Sequence, residues 1–151
     1  MPMRSTLRSF PLVAVLALAA ACGDSTPAAS SLPPGYYITI SGMAYAPLNL
    51  SAPAGATITV LNRDAMAHSV TQQVAPATFT PGAPGGGTPF DTGLFTGTKT
   101  FTLPAGLVEG TVLSYYCSSH ASMMVTPNGT ITIRAAAAPA PDPYPGGGTG
   151  Y

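Results

Sequence analysis

The sequence is poor in charged residues, histidine and cysteine, and each shortage limits what the protein can do. Only 7% of the 151 residues are charged, with five basic against five acidic residues. The chain therefore has no basic patch for binding nucleic acid. It holds two histidines and two cysteines, so a metal site built from imidazoles would use both histidines. Its apolar runs are shorter than the roughly 18 residues of a membrane-spanning helix.

The N-terminus has the pattern of an export signal. Two arginines precede an apolar stretch over residues 11–21, which has the length of a signal-peptide core. Small residues lead from there to Cys22, and this arrangement resembles a bacterial lipobox, whose cysteine is lipidated and becomes the new N-terminus. Leu18 lies one position further from the cysteine than in the usual lipobox, so simple cleavage is the alternative. We predict a signal peptide over residues 1–21 and a protein of the periplasm or cell surface, lipid-anchored to the membrane through Cys22.

Two low-complexity segments flank one candidate domain. Residues 22–35 are rich in Ser, Ala, Pro and Thr, and residues 135–151 are rich in Ala, Pro and Gly. Neither composition can build a packed core, so we predict a flexible linker and a disordered tail. Residues 36–134 remain, and about a hundred residues is the usual size of a single small domain. We expect this domain to act as a monomer.

Within this domain the sequence pattern favours β-strands. Several short segments are rich in β-branched or aromatic residues and are bounded by Gly, Pro or Asn. They cover residues 36–40, 57–61, 99–103, 111–117 and 130–133. No convincing amphipathic helix competes with them, which predicts an all-β sandwich. The Pro- and Gly-rich stretch over residues 74–89 is predicted to be an extended surface loop.

Potential metal ligands cluster after the fourth of these strands. Residues 116–124 read Tyr-Cys-Ser-Ser-His-Ala-Ser-Met-Met. One Cys, two His and a weak axial Met form the ligand set of blue copper centres, because soft sulfur suits Cu(I) and imidazole suits both oxidation states. His68 is the other histidine of the chain. The predicted copper ligands are therefore His68, Cys117 and His120, together with a methionine.

Cys117 is difficult to explain without a metal. With Cys22 lipidated it is the sole remaining thiol of an exported protein, so it has no disulfide partner within the chain. Strand alternation places Leu113, Tyr115 and Cys117 on one face, directed into the sandwich. A buried inert cysteine is the alternative. Metal ligation accounts better for the nearby histidine and methionines.

The segment from about residue 38 to residue 133 resembles the cupredoxins of the plastocyanin and amicyanin kind. The motifs that carry the resemblance are Asn62 with His68-Ser69-Val70, Asp91-Thr92-Gly93-Leu94-Phe95, and Tyr115-Tyr116-Cys117-Ser118-Ser119-His120. The resemblance implies a Greek-key β-sandwich that binds one type 1 copper ion. It also implies that Ser69 and Ser118 join the two ligand loops by hydrogen bonds, that His68 is buried and that His120 reaches the surface.

The ligand-loop spacing leaves two candidates for the axial ligand. Two residues separate Cys117 from His120, and two more separate His120 from Met123. This spacing matches the amicyanin arrangement, so Met123 is the predicted axial ligand. Azurin-like loops place three residues between His and Met, which keeps Met124 as the alternative.

A rigid site of this kind suits electron transfer. Its geometry need change little between Cu(II) and Cu(I), and a catalytic copper centre would need further histidines. The sequence therefore predicts a one-electron carrier between redox protein partners, and not an enzyme. The alternatives are a copper storage or delivery protein, a zinc site with Asp64 as the nearest acidic residue, and a sandwich that has lost its metal.

Overall fold

The computed structural model describes residues 32–143. The predicted signal peptide, residues 22–31 of the predicted linker and residues 144–151 of the predicted tail lie outside the described residues. The described chain forms eight strands and one short 3₁₀ helix, Ala121–Met123. The strands are β1 Tyr36–Ser41, β2 Ala44–Ala46, β3 Asn49–Ala52, β4 Thr57–Asn62, β5 Thr71–Gln72, β6 Gly97–Thr102, β7 Val112–Tyr116 and β8 Gly129–Ile133.

The strands form two four-stranded sheets, which confirms the predicted all-β sandwich. One sheet has the order β2-β1-β4-β6 and the other the order β3-β8-β7-β5. Strand β1 runs parallel to β4, and β3 runs parallel to β8, while the other neighbours are antiparallel. Strands distant in sequence are thus neighbours in both sheets, as Greek-key connections require. The five segments with strong strand patterns are confirmed as β1, β4, β6, β7 and β8.

The core lies between the two sheets and follows from strand alternation. Ile38 and Ile40 of β1 face Ile131 and Ile133 of β8 across one cluster of buried residues. A fully buried side chain of this size contributes about 1.5–3 kcal/mol through removal from water. Cys117 belongs to the same cluster. The prediction that it points into the sandwich is therefore confirmed.

Residues beyond the predicted domain boundary at Arg134 also pack on the sandwich. The Tyr36 hydroxyl donates to the carbonyl of Ala137, and Gly35 and Ala140 exchange two backbone hydrogen bonds of 3.0 and 2.9 Å. The buried Asp142 carboxylate accepts the Thr39 hydroxyl and pairs with the Arg63 guanidinium. These contacts extend the packed part of the chain to Asp142.

The predicted surface loop over residues 74–89 contains no strand in the structure. One isolated bridge joins Gln73 to Pro81 at its beginning. The Phe79 ring packs against Tyr116 with a centroid separation of 5.8 Å, so the loop covers the outer face of β7. No helix among residues 32–143 is long and apolar enough to cross a membrane.

Candidate metal centre

The strand register brings three separate loops to one end of the second sheet. Thr71 of β5 pairs with Tyr116 of β7, so the residues just before β5 lie beside those just after β7. His68 lies in the loop that leads into β5, and Cys117 directly follows β7. The backbone of His68 also exchanges hydrogen bonds of 3.1 and 2.9 Å with Phe95. His120 follows as the N-cap residue of the 3₁₀ helix.

The donor atoms of these three residues form a compact triangle. Cys117 Sγ lies 3.6 Å from His68 Nδ1 and 3.4 Å from His120 Nδ1, and the two Nδ1 atoms are 3.2 Å apart. A point equidistant from three atoms spaced in this way lies about 2 Å from each, which is close to metal–nitrogen and metal–sulfur bond lengths. One thiolate and two imidazoles suit copper in both oxidation states. The group fits one type 1 copper ion.

The environment of Cys117 favours the thiolate, which is the form that binds a metal. Burial raises the pKa of the thiol, but hydrogen bonds outweigh burial and lower the pKa from 9.0 to about 6. One comes from the Ser69 N–H, 3.4 Å from Sγ, and another from the Ser119 hydroxyl, 3.7 Å from Sγ. Metal binding releases the thiol proton, and the lowered pKa makes that release easier.

The two ligand loops are joined by hydroxyl groups, as the resemblance to cupredoxins implied. Ser69 Oγ accepts the Ser118 N–H at 2.8 Å and lies 3.1 Å from Ser118 Oγ. It also lies 2.9 Å from Thr71 Oγ1. Because Ser69 and Ser118 each adjoin a donor residue, these bonds hold His68 and Cys117 at a constant separation.

His68 is fully buried, and its ring orientation depends on residues from the preceding loop. Asn62 holds this loop by donating to the carbonyls of Met66 and Phe95 at 2.9 and 2.7 Å. The His68 Nε2 lies 3.1 Å from Asp64 Oδ2, so Nδ1 is the nitrogen that faces Cys117. In the sequence, Asp64 was considered only as the acidic residue nearest to a possible zinc site. Its spacing of four residues from His68 was the available signal for this contact.

Tyr45 is a second residue near the site that the sequence analysis missed. Its hydroxyl donates to the Ser69 carbonyl at 2.7 Å, and its ring meets Tyr115 edge to face with centroids 5.0 Å apart. Burial raises the pKa of both tyrosines, so both remain neutral. The pair forms a rigid apolar floor beneath Ser69 and Cys117.

The two methionines of the ligand loop have opposite environments. The Met123 side chain is 67% exposed, whereas Met124 is 3% exposed and belongs to the same core cluster as Cys117. The backbone explains the difference. The Met123 N–H closes the 3₁₀ turn on the His120 carbonyl at 2.6 Å, and Met124 then adopts an extended conformation. Consecutive residues therefore point in different directions.

No protein-family model matches the chain, and no curated protein matches it. Among solved structures, the chain is similar to an oxidised methionine-to-leucine mutant of amicyanin, with 22% identity over 66% of this chain and 82% of that chain and a TM-score of 0.47. A reduced Cu(I) form of a proline-to-glycine amicyanin mutant shows 20% identity over 72% and 95% of the two chains, with a TM-score of 0.48. A purple cupredoxin from Nitrosopumilus maritimus shows 24% identity over 66% and 99%, with a TM-score of 0.44. The chain thus resembles solved cupredoxins, and its own His68, Cys117 and His120 form a group that fits a blue copper site.

Proposed function

We propose that this protein is an exported type 1 copper protein that carries single electrons between redox protein partners. The observation that carries this proposal is the triangle of one thiolate and two imidazole nitrogens with edges of 3.2–3.6 Å. A bound copper ion would supply a one-electron change between Cu(II) and Cu(I). The chain's own residues would keep the donors in place during that change.

The surroundings of the three donors support a carrier. His68 and Cys117 are buried, and His120 is the most exposed of the three. His120 therefore offers the shortest path between the site and a partner. Large apolar side chains near the ligand loops are about half or more exposed, namely Met66, Leu94, Met123 and Val125. We propose that a redox partner docks over His120 through these apolar groups.

Met124 is the axial ligand that we propose, and Met123 is the alternative. A weak axial thioether approaches the metal from the protein side when it belongs to the packed core, and Met124 does so. The exposure of Met123 suits a surface contact better. The sequence-based preference for Met123 depended on the loop spacing and on its match to the amicyanin arrangement, and neither reports the direction of a side chain.

The contacts of Asp64 speak against hydrolysis at a zinc site. A metal hydrolase needs a base beside an open coordination position. Both oxygens of Asp64 already accept hydrogen bonds from the backbone, and one also contacts His68 Nε2 on the side away from Cys117. Within residues 32–143, the donor group contains no carboxylate.

The visible spectrum tests the proposed function. Copper-loaded protein should show the strong thiolate-to-copper band, and Cys117→Ser should abolish it, because no other described cysteine can replace this sulfur. Ser122→Ala, an exposed change in the same loop, should retain the band. A wild-type protein without the band would refute the proposal. Rapid loss of Cu(I) to a competing chelator, with slow electron exchange, would indicate storage or delivery instead.

We further propose that the protein is attached to a membrane through lipid on Cys22. Residue 35 leads into β1, and β1 runs from there towards the Gly42 turn beside Asp64 and His68. A strand of this length spans about 20 Å. The chain would thus enter the domain far from the ligand loops, which leaves His120 accessible to partners. Mass spectrometry of the mature N-terminus should detect acylated Cys22, and an unmodified N-terminus would indicate ordinary secretion.

A further inference from the structure

The carboxylate of Asp64 contacts two parts of the molecule at once. Its Oδ1 accepts the Gly42 N–H at 2.6 Å, and its Oδ2 accepts the Met43 N–H at 2.9 Å. The same Oδ2 lies 3.1 Å from Nε2 of His68. The Asp64 side chain is only 12% exposed, so water competes little for these oxygens. Asp64 thus joins the turn between β1 and β2 to a proposed copper ligand.

The Gly42–Met43 turn needs these acceptors. Both residues have left-handed backbone conformations, with φ of 59° and 62°. This conformation is unfavourable for a residue with a side chain, such as Met43, because its Cβ atom comes too close to the following carbonyl oxygen. The two N–H bonds to Asp64 offset this cost. A carboxylate serves better here than an amide, because it offers two acceptor oxygens instead of one.

The other side of the turn contacts the methionine loop, residues 123–126, which contains both candidate axial ligands. The Met43 carbonyl accepts the Val125 N–H at 2.7 Å, and the Tyr45 N–H donates to Thr126 Oγ1 at 2.5 Å. Val125 directly follows Met124. A short series of hydrogen bonds therefore leads from His68 through Asp64 and Met43 to the backbone beside Met124.

We propose that Asp64 is a positioning residue for the copper centre. It keeps Nε2 of His68 protonated, so that Nδ1 faces the other donors, and it holds the methionine loop through the Gly42–Met43 turn. This inference rests on the proposed copper function. A carboxylate acceptor makes an imidazole a stronger donor, which stabilises Cu(II) more than Cu(I). Removing the carboxylate should weaken Cu(II) binding and raise the reduction potential.

Two variants of Asp64 and one distant control test the proposal. Asp64→Ala should lower Cu(II) affinity by about 10–100-fold, the usual effect of losing a hydrogen-bond partner of a metal-ligating histidine. Asp64→Asn keeps one acceptor oxygen and should cause a smaller loss. The reduction potential should rise in both. Glu109→Gln is the matched control, because Glu109 accepts the Ala135 N–H at 2.7 Å beyond the far end of β8. Glu109→Gln should change neither the Cu(II) affinity nor the reduction potential.

Nitrogen NMR of the metal-free protein provides a measurement that does not depend on copper. His68 should carry its proton on Nε2 in the wild type and populate both tautomers in Asp64→Ala. The proposal would be refuted if the His68 tautomer, the Cu(II) affinity and the reduction potential all stayed unchanged. A lower unfolding temperature alone would mean that Asp64 stabilises only the Gly42–Met43 turn. If Asp64→Ala fails to fold, the same measurements on Asp64→Asn test the positioning role of Asp64. A wild type without the blue band refutes the copper function, whereas the tautomer still decides the role of Asp64.

Discussion

At the scale of single residues, the two adjacent methionines offer a sharp test of the site. Met124→Leu should raise the reduction potential, because removing an axial thioether removes a donor that favours Cu(II). The exposed Met123→Leu should leave the potential nearly unchanged. Both substitutions conserve volume and should cost less than about 1.5 kcal/mol of folding stability, so unfolding would not obscure the comparison. Voltammetry of the two copper-loaded variants measures the shift.

The opposite order of shifts would restore Met123 as the axial ligand. It would mean that the 3₁₀ helix rearranges on copper binding, since Met123 is directed to solvent by the turn that its N–H closes on His120. Equal and small shifts would mean that neither thioether contacts the metal. The pair is a matched comparison because both side chains belong to the same loop and undergo the same chemical change.

At the scale of elements, the pairing of β7 with β8 supports the floor of the site. Gly129 lies opposite Tyr115, and a Cβ atom at Gly129 would lie 2.1 Å from the Tyr115 ring. Gly129→Ala must therefore displace the fully buried Tyr115 and, with it, Tyr45. Overpacking of this kind costs about 1–3 kcal/mol or more. Thermal unfolding should show a clearly lower midpoint, about 4–8 °C for each kcal/mol in a domain of this size.

Gly106→Ala is the control for this clash. A Cβ atom at Gly106 would meet no atom within 4 Å, and its backbone does not require a positive φ. This variant should unfold at or slightly above the wild-type midpoint. A stable Gly129→Ala protein would show that Tyr115 can move without cost, and the pair of buried tyrosines would then not be the rigid floor inferred above.

The elements also show what the sequence could predict. Strands with clear alternation and β-branched residues, such as β1 and β8, were predicted within one residue of their observed bounds. The two-residue β5 and the three-residue β2 are too short to carry a periodic pattern, and their pairing partners stabilise them. The packing of Asp142 on Thr39 was not predictable either, since composition reports disorder but not a specific buried contact.

The candidate site was predictable to a similar extent. Residue chemistry and spacing singled out His68, Cys117 and His120, and the structure brings their donor atoms together. The directions of the Met123 and Met124 side chains depend on one tight backbone turn, which spacing does not encode. The contact between Asp64 and the Gly42 turn depends on how β1 and β4 lie side by side, which is a property of the sheet.

At the scale of the whole molecule, the described part of the chain has few charged side chains, and each of them has an ion-pair or hydrogen-bond partner. The charged side chains of residues 32–143 are three basic and four acidic. Arg63 pairs with Asp142, Arg134 pairs with Glu109, and Lys99 donates to the Thr92 carbonyl. Asp64 and Asp91 accept backbone N–H groups. Electrostatic steering by such a surface is weak, so partner binding should depend on apolar contact.

Electron exchange should therefore depend little on salt. The self-exchange rate between oxidised and reduced copies, measured by NMR, should change little between low and high ionic strength, because the surface near His120 has apolar groups such as Leu94. Leu94→Lys should slow exchange at low salt, since two like charges then meet, and added salt should recover part of the rate by screening. Val112→Lys adds the same charge at the start of β7, about 15 Å of strand from Cys117, and should leave the rate unchanged. A strong salt dependence in the wild type, or equal effects of the two lysines, would contradict docking over His120 through an uncharged surface.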